Sequence, residues 1–136
     1  GGPAHVSQQA KNRIIDEFDN FDTSYPFKYR GKTWLSAEQA YQAAKFVDPH
    51  YQRKIRKENN PRVIWAMGQS RQHAMVPLWN QIRVLVMYEI NKTRIDQHQQ
   101  LQRLLQSTGD GVITFPGSDE FWGTGGVSDK FPHNDS

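Results

Sequence analysis

Three sequence patterns typical of helix N-termini lie between residues 36 and 61, and they constrain the fold of this chain more than any other feature. Ser36 and Gln39 form a capping-box pattern, in which a hydroxyl and an amide side chain bind free amides of a first helical turn. Asp48-Pro49 and Asn60-Pro61 each place a capping side chain before a proline, a residue favoured at the first helical position. These signals predict three short helices, at residues 36–47, 49–58 and 61–67.

The flanking segments predict two more helices and little strand. The stretch PLWNQIRVLVMYEINK, residues 77–92, is apolar on more than one side and is predicted to be the most deeply buried helix. Asp96 is predicted to cap a fifth helix that Gly109 ends. Alternation in YPFKYRGKTWL predicts a hairpin that turns at Arg30-Gly31 and ends near Trp34. The expected fold class is α+β, a compact and predominantly helical domain with a few short strands.

Length and composition narrow the class of protein. The 136 residues predict a single domain over 1–136, in which 1–17 form an atypical or vector-derived segment and 127–136 a short tail. Apolar runs fall far short of the roughly 20 residues that span a bilayer, so no membrane partner is expected. Because cysteine is absent and no signal-peptide pattern opens the chain, we expect a cytoplasmic location.

The charged and metal-binding residue types favour an anionic small molecule over a metal. Five histidines are scattered without a pair at metal-ligand spacing, so neither a metal nor a cofactor is expected. A net charge of +3 suits a phosphate-bearing ligand and is weak support for nucleic-acid binding. The basic stretch RKIRK, residues 53–57, is predicted to be a solvated helix face with Ile55 turned inward. A nucleic-acid-binding module that uses this helix is the weakest alternative.

Glu38 lies in the first turn of the helix that Ser36 starts. The helix dipole and free amides there favour an ionised carboxylate, which could act as a base or stabilise positive charge. It could act as an acid only if burial or a second carboxylate raised its pKa. A purely structural role in complementing the dipole remains open from the residues alone.

The stretch DEFWGTGG, residues 119–126, follows a predicted strand, GVITF. Because Pro116-Gly117 and the later glycines disfavour regular pairing, the stretch is predicted to be an ordered loop, held by Phe121 and Trp122. Its glycines could offer backbone amides to an anion, or they could serve only as hinges.

Arg71 and Trp79 are two further candidates. The Arg71 guanidinium could bind two phosphate oxygens. Trp79 shares a helix stripe with Ile82, Val86 and Ile90, which is typical of a core residue, although an indole at a helix end can also stack on a base.

Together these segments resemble the NADAR family of N-glycosidases. The resemblance covers most of residues 18–126 and rests on six ordered blocks: FDNF, GKTWLSAEQAYQAAKF, NPRVIWAMGQSR, LWNQIRVLVMYE, LLQSTGD and SDEFWGTGG. It implies a mostly helical α+β fold and hydrolysis of N-glycosidic bonds between ribose and a base or amine. The substrates it implies are phosphorylated riboflavin-pathway intermediates and, in some branches, ADP-ribose attached to a nucleobase.

The resemblance also implies roles for particular residues. The family's proposed functional positions match Glu38, Trp79 and Asp119, which are taken as catalytic. Other positions are taken as lining a ribose-phosphate pocket: Asn20, Phe21, Lys45, Arg71, Trp122 and Gly123. The chemistry agrees with this assignment, because two carboxylates beside an oxocarbenium-like centre can stabilise its charge and activate water.

Three positions differ from the usual family pattern and leave the choice of substrate open. Gln39 stands for a histidine, Gln69 for an arginine, and a glutamate is replaced at or near Thr114. The segment after the WGTGG stretch is also shorter than is usual in the family. The expected function is therefore hydrolysis by Glu38 and Asp119, and the alternative is a non-catalytic module that binds ADP-ribose or a nucleotide.

Overall fold

The computed structural model describes residues 17–107 and the backbone of residues 113–114 and 121–122. These residues form a mostly helical α+β fold with short strands, which confirms the expected fold class. In chain order the described elements are β1 (Phe27–Tyr29), β2 (Lys32–Trp34), α1 (Ala37–Ala44), α2 (Pro49–Lys57), α3 (Pro61–Gly68), α4 (Trp79–Asp96), α5 (Gln99–Gln106), β3 (Ile113–Thr114) and β4 (Phe121–Trp122).

Strands β1 and β2 form the predicted hairpin. They pair antiparallel, with Phe27 opposite Trp34. Arg30 and Gly31 both have positive φ, 52° and 79°, as the tightest hairpin turns require. The second strand of the hairpin ends at Trp34, three residues before α1 begins at Ala37.

Helices α1, α2 and α3 begin where their capping residues predict. The side chains of Ser36, Asp48 and Asn60 each accept a hydrogen bond from a first-turn amide, and prolines open α2 and α3. Helix α1 ends at Ala44, short of the predicted Val47, because the backbone of Phe46 pairs with that of Met75 in an isolated bridge.

Helix α4 is shifted toward the C-terminus relative to the prediction. It begins at Trp79, after Leu78 in a left-handed conformation (φ 61°), and continues to Asp96. Asp96 is thus the last residue of α4, where its carboxylate lies 3.3 Å from Nζ of Lys92, and it does not cap the next helix. His98 occupies the N-cap position of α5 without a side-chain capping bond.

The core lies between α4 and the three short helices. Trp79, Val86 and Ile90 are buried in one cluster, and Ile82 packs against it, as the apolar stripe predicts. Ile55 of α2 is fully buried, whereas Arg53, Lys54 and Lys57 are exposed, which confirms the solvated basic face. A second cluster joins the end of α4 to α5 and to Phe18 and Tyr25. In the described part of the chain, no helix is long and apolar enough to cross a membrane.

Strands β3 and β4 correct one prediction. Ile113 pairs antiparallel with Trp122, and Thr114 with Phe121, so the FW dipeptide of the predicted loop is strand. Aromatic residues favour strands, and here that preference outweighs the glycines on the C-terminal side. The remaining residues of the DEFWGTGG stretch lie outside the described part of the chain.

Candidate functional site

Glu38 is the second residue of α1 and lies against the loop that precedes β1. Its backbone N–H donates to the carbonyl of Asn20 at 2.8 Å. First-turn amides have no partner within their own helix, so this contact joins the loop to the helix start. The Glu38 side chain is nearly buried, and the residue is 9% exposed.

The carboxylate of Glu38 has one strong internal partner. Its Oε1 accepts a hydrogen bond of 2.6 Å from Nε2 of Gln42, one turn along α1. Burial raises the pKa of Glu38 and the nearby Asp19 adds to this, while the bond from Gln42 opposes the rise. Burial thus shifts the pKa of Glu38 in the direction that a general acid requires.

An aromatic pair connects the Glu38 turn to α4. The rings of Tyr41 and Trp79 lie 5.1 Å apart at a tilt of 54°. Arg83, one turn further along α4, forms a hydrogen bond with the Tyr41 side chain, which lowers a Tyr41 pKa that burial raises. Trp79 itself is 5% exposed, so it is a core residue. Its ring contacts Tyr41, which lies three residues after Glu38 on α1.

Lys45 lies two turns beyond Glu38 on the same side of α1. Its Nζ donates to the carbonyl of Gly68 at 2.6 Å, at the end of α3. Burial lowers the pKa of Lys45. The ammonium is thus held at the end of α3 by a neutral acceptor.

Asn20 and Phe21 lie on the loop beside Glu38. The side-chain oxygen of Asn20 accepts a hydrogen bond from Nδ2 of the fully buried Asn91 at 3.1 Å. Phe21 is 44% exposed, which suits a ring that meets a ligand. The structure therefore brings the loop that carries Asn20 and Phe21 to the first turn of α1, where Glu38 lies.

Arg71 is exposed in the segment after α3. Ser70 and His73 hydrogen bond across it at 3.0 Å, and the His73 ring stacks on Tyr51 at 3.6 Å. Within residues 17–107, no hydrogen bond or ion pair joins Arg71 to Glu38. A role for Arg71 in phosphate binding stays a prediction.

The tail residues of the expected site are described only in part. Trp122 is placed by its backbone in β4, and Asp119 and Gly123 lie outside the described residues. The meeting of Glu38 with Asp119 therefore stays a prediction.

Gln42, Tyr41 and Gly68 lie at the site and were not predicted from the sequence. Helical spacing of three or four residues from Glu38 was the signal that could have found Gln42 and Tyr41. Gly68 gave no such signal, because its contact depends on how α3 packs against α1. Among the described residues, no group of three or more histidines or acids could hold a metal ion.

The positions that differ from the family pattern fall in different surroundings. Gln39 is fully buried and binds the end of α2, where its Nε2 lies 2.8 to 3.1 Å from three backbone carbonyls. Gln69 is exposed, and Thr114 is known by its backbone in β3. Gln39 therefore serves the packing of α1 on α2.

Comparisons with known proteins identify the family of this chain. The NADAR domain model matches residues 5–136. The N-glycosidase YbiA of Escherichia coli K12 is 33% identical over 111 residues, which cover 81% of this chain and 69% of that protein. A riboflavin biosynthesis protein of Vibrio vulnificus is 33% identical over 97 residues, 71% of this chain and 26% of that protein.

A solved structure agrees at the level of the fold. The NMR structure of Escherichia coli YbiA matches with a TM-score of 0.61 and 35% identity. The match covers 68% of this chain and 54% of the solved one, so it spans about half of that structure. From the domain match, the sequence relatives and the shared fold, this chain belongs to the NADAR family.

Proposed function

We propose that this chain is an N-glycosidase that hydrolyses the bond between a ribose and a base or amine, in a ribose-phosphate or ADP-ribose substrate. Glu38 is the residue that supports this most directly. Its carboxylate is nearly buried and has a raised pKa, with Oε1 bound by Gln42 and no hydrogen bond to Oε2 in the described part of the chain. The name N-glycosidase borne by the YbiA relatives supports the same class of reaction.

The reaction breaks the C1–N bond, and its electron pair stays on the nitrogen of the leaving group. The ribose then passes through an oxocarbenium-like state, which a negative carboxylate stabilises. Water adds to C1 and loses one proton to a carboxylate, and a carboxyl group gives one proton to the leaving nitrogen, so that the water supplies both the new hydroxyl group and the new N–H. We assign these carboxylate roles to Glu38 and Asp119.

The remaining residues would bind the rest of the substrate. Lys45 carries a positive charge on the Glu38 side of α1, which suits a phosphate oxygen. Phe21 offers an exposed ring and Asn20 a polar contact on the adjacent loop. The family pattern supports a role in binding the phosphate and the base for Arg71, Trp122 and Gly123. It also supports Trp79 as the third catalytic residue.

The test is Glu38→Gln, assayed for free base on a panel of ribosylated and ADP-ribosylated compounds. Glutamine keeps the size of the side chain and can still accept from Gln42, but it cannot take a proton or stabilise positive charge. We expect kcat to fall by about 10² to 10⁴-fold while ligand affinity stays close to that of the wild type. Glu89→Gln is the matched control, since Glu89 is a partly exposed acid on α4 that pairs with Arg30.

Two results would contradict the proposal. Unchanged kcat in Glu38→Gln would remove this carboxylate from the mechanism. Calorimetric binding of ADP-ribose by the wild type, without release of base from any compound in the panel, would favour the non-catalytic nucleotide-binding module.

A further inference from the structure

Gln42 lies between the carboxylate of Glu38 and the end of α3. The residue is 4% exposed, and its Nε2 donates to Oε1 of Glu38 at 2.6 Å. A bond of this length from an amide to a carboxylate is typical of a charge-assisted hydrogen bond. Gln42 is therefore the described group that touches the catalytic carboxyl most closely.

Gly68 provides the space in which the Gln42 amide sits. A Cβ added at position 68 would overlap Oε1 and Cδ of Gln42. Gly68 also gives its carbonyl to Lys45, so its backbone contacts two side chains of α1. Gly68 is the last residue of α3, so its backbone is helical and other residues could adopt it. The position requires glycine because a side chain would occupy the space of the Gln42 amide.

The contact is directional at the carboxyl. An ionised carboxylate can only accept, and a glutamine amide can turn its NH₂ toward it. Once Oε1 is held, rotation of the carboxyl group is restricted, and Oε2 becomes the oxygen that is open to another partner. A reacting carboxylate gains from such restriction, since small errors in its orientation reduce the rate strongly.

We propose that Gln42 is a positioning residue, whose amide fixes Oε1 of Glu38 so that Oε2 faces the substrate, and that Gly68 is required to leave room for this amide. This inference rests on the proposed role of Glu38 in hydrolysis. The contact itself is independent of that role and can be tested without turnover.

Several charged or titratable groups surround Glu38 and must be considered with Gln42. Asp19, on the loop before β1, raises the pKa of Glu38 together with burial, while Gln42 lowers it. Tyr41 on α1 interacts with both Glu38 and Arg83 of α4. Lys45 lies on the same side of α1, bound to Gly68. If the amide of Gln42 is removed, burial and Asp19 still raise the pKa of Glu38 and no hydrogen bond from Gln42 lowers it, so the pKa should rise further.

The principal variant is Gln42→Met, which keeps the length of the side chain and removes its donor. We expect the acidic limb of the pH profile of kcat/KM to move up by about one pH unit, the size expected for one lost hydrogen bond to a charged group. The kcat at pH 7 should fall while KM changes little. Gln52→Met is the matched control, because Gln52 donates instead to the backbone carbonyl of Phe46.

A second variant tests the same contact with Gln42 still present. In Gly68→Ala the new methyl group displaces the amide of Gln42, the flexible end of a side chain. We expect the acidic limb to shift in the same direction as in Gln42→Met. This variant also covers the case in which Gln42→Met folds poorly.

Carbon-13 NMR titration of the glutamate carboxyls gives a readout that needs no substrate. The Glu38 resonance is identified by its loss in Glu38→Gln. We expect its titration midpoint to rise in Gln42→Met and Gly68→Ala and to stay unchanged in Gln52→Met. An unchanged midpoint in the first two variants would overturn the inference about Gln42. A wild type that releases no base would overturn the proposed function instead, so the two failures are distinguishable.

Discussion

Helix α1 contacts α2 and α3 through two buried glutamines that use their amides in different ways. Gln39 meets α2 and bonds only to backbone groups, the N–H of Leu35 and three carbonyls near the end of α2. Gln42 meets α3 and gives its amide to the carboxylate of Glu38. Both residues are buried, at 0% and 4% exposed, so burial does not distinguish them. The hydrogen-bond partner distinguishes them, because the backbone groups bound by Gln39 do not titrate, whereas the carboxylate bound by Gln42 does.

The largest effect on stability should come from Gln39→Met. The change would leave the Leu35 N–H and three carbonyls without this partner in a buried region, and lost hydrogen bonds of this kind are costly. We expect the free energy of unfolding to fall by about 2 to 4 kcal/mol, measured by urea unfolding. The loss should be the same at pH 5 and pH 7, and a loss that varied strongly with pH would contradict the structural role assigned to Gln39.

Gln42→Met should cost less, and its cost should depend on pH. Without the amide, the folded-state pKa of Glu38 lies further above its unfolded value. Stability linked to such a group is present below the unfolded pKa and is lost as the pH rises through the folded pKa. We expect a loss of about 1 to 2 kcal/mol at pH 7 and almost none once Glu38 is protonated in both states.

The measurement for Gln42→Met is urea unfolding of wild type and variant at a series of pH values from 3.5 to about 7.5, the range that brackets glutamate titration. A cost that stayed constant over this range would place Gln42 in the same class as Gln39.

The smallest effect on stability should come from Glu38→Gln. Because burial raises the pKa of Glu38 in the folded state, the ionised carboxylate opposes folding, and this opposition grows as the pH rises through the folded pKa. The variant should thus be at least as stable as the wild type at pH 7 and should lose this advantage at acid pH. Thermal unfolding at both pH values, with Glu89→Gln for comparison, checks the sign.

Local signals in the sequence predicted the beginnings of helices well. The caps at Ser36, Asp48 and Asn60 act within four residues, so their outcome depends little on the rest of the fold. The capping-box pattern was only half correct. Ser36 accepts from the Gln39 N–H, but the Gln39 side chain accepts from Leu35 and turns to α2, where more partners are available.

Local signals predict less well where tertiary contacts determine the structure. Asp96 looked like a cap, yet α4 continues through it because its second half is packed in the core by Ile90 and Ile95. Glu38 could be predicted as a candidate from its place in a first turn. Helical spacing from Glu38 also marks Gln42 as a possible partner. The role of Gly68 could not be predicted, since it arises from the approach of α3 to α1.

The hydrogen bond from the Glu38 amide to the carbonyl of Asn20 is made entirely by main-chain atoms. Replacing either side chain leaves both atoms in place, so the attachment of the loop to α1 is insensitive to almost every point mutation at these two positions. Activity lost in variants of Glu38 can therefore be attributed to the altered side chain and not to a detached loop. Proline at position 38 is the exception, since it alone lacks the amide hydrogen that donates this bond.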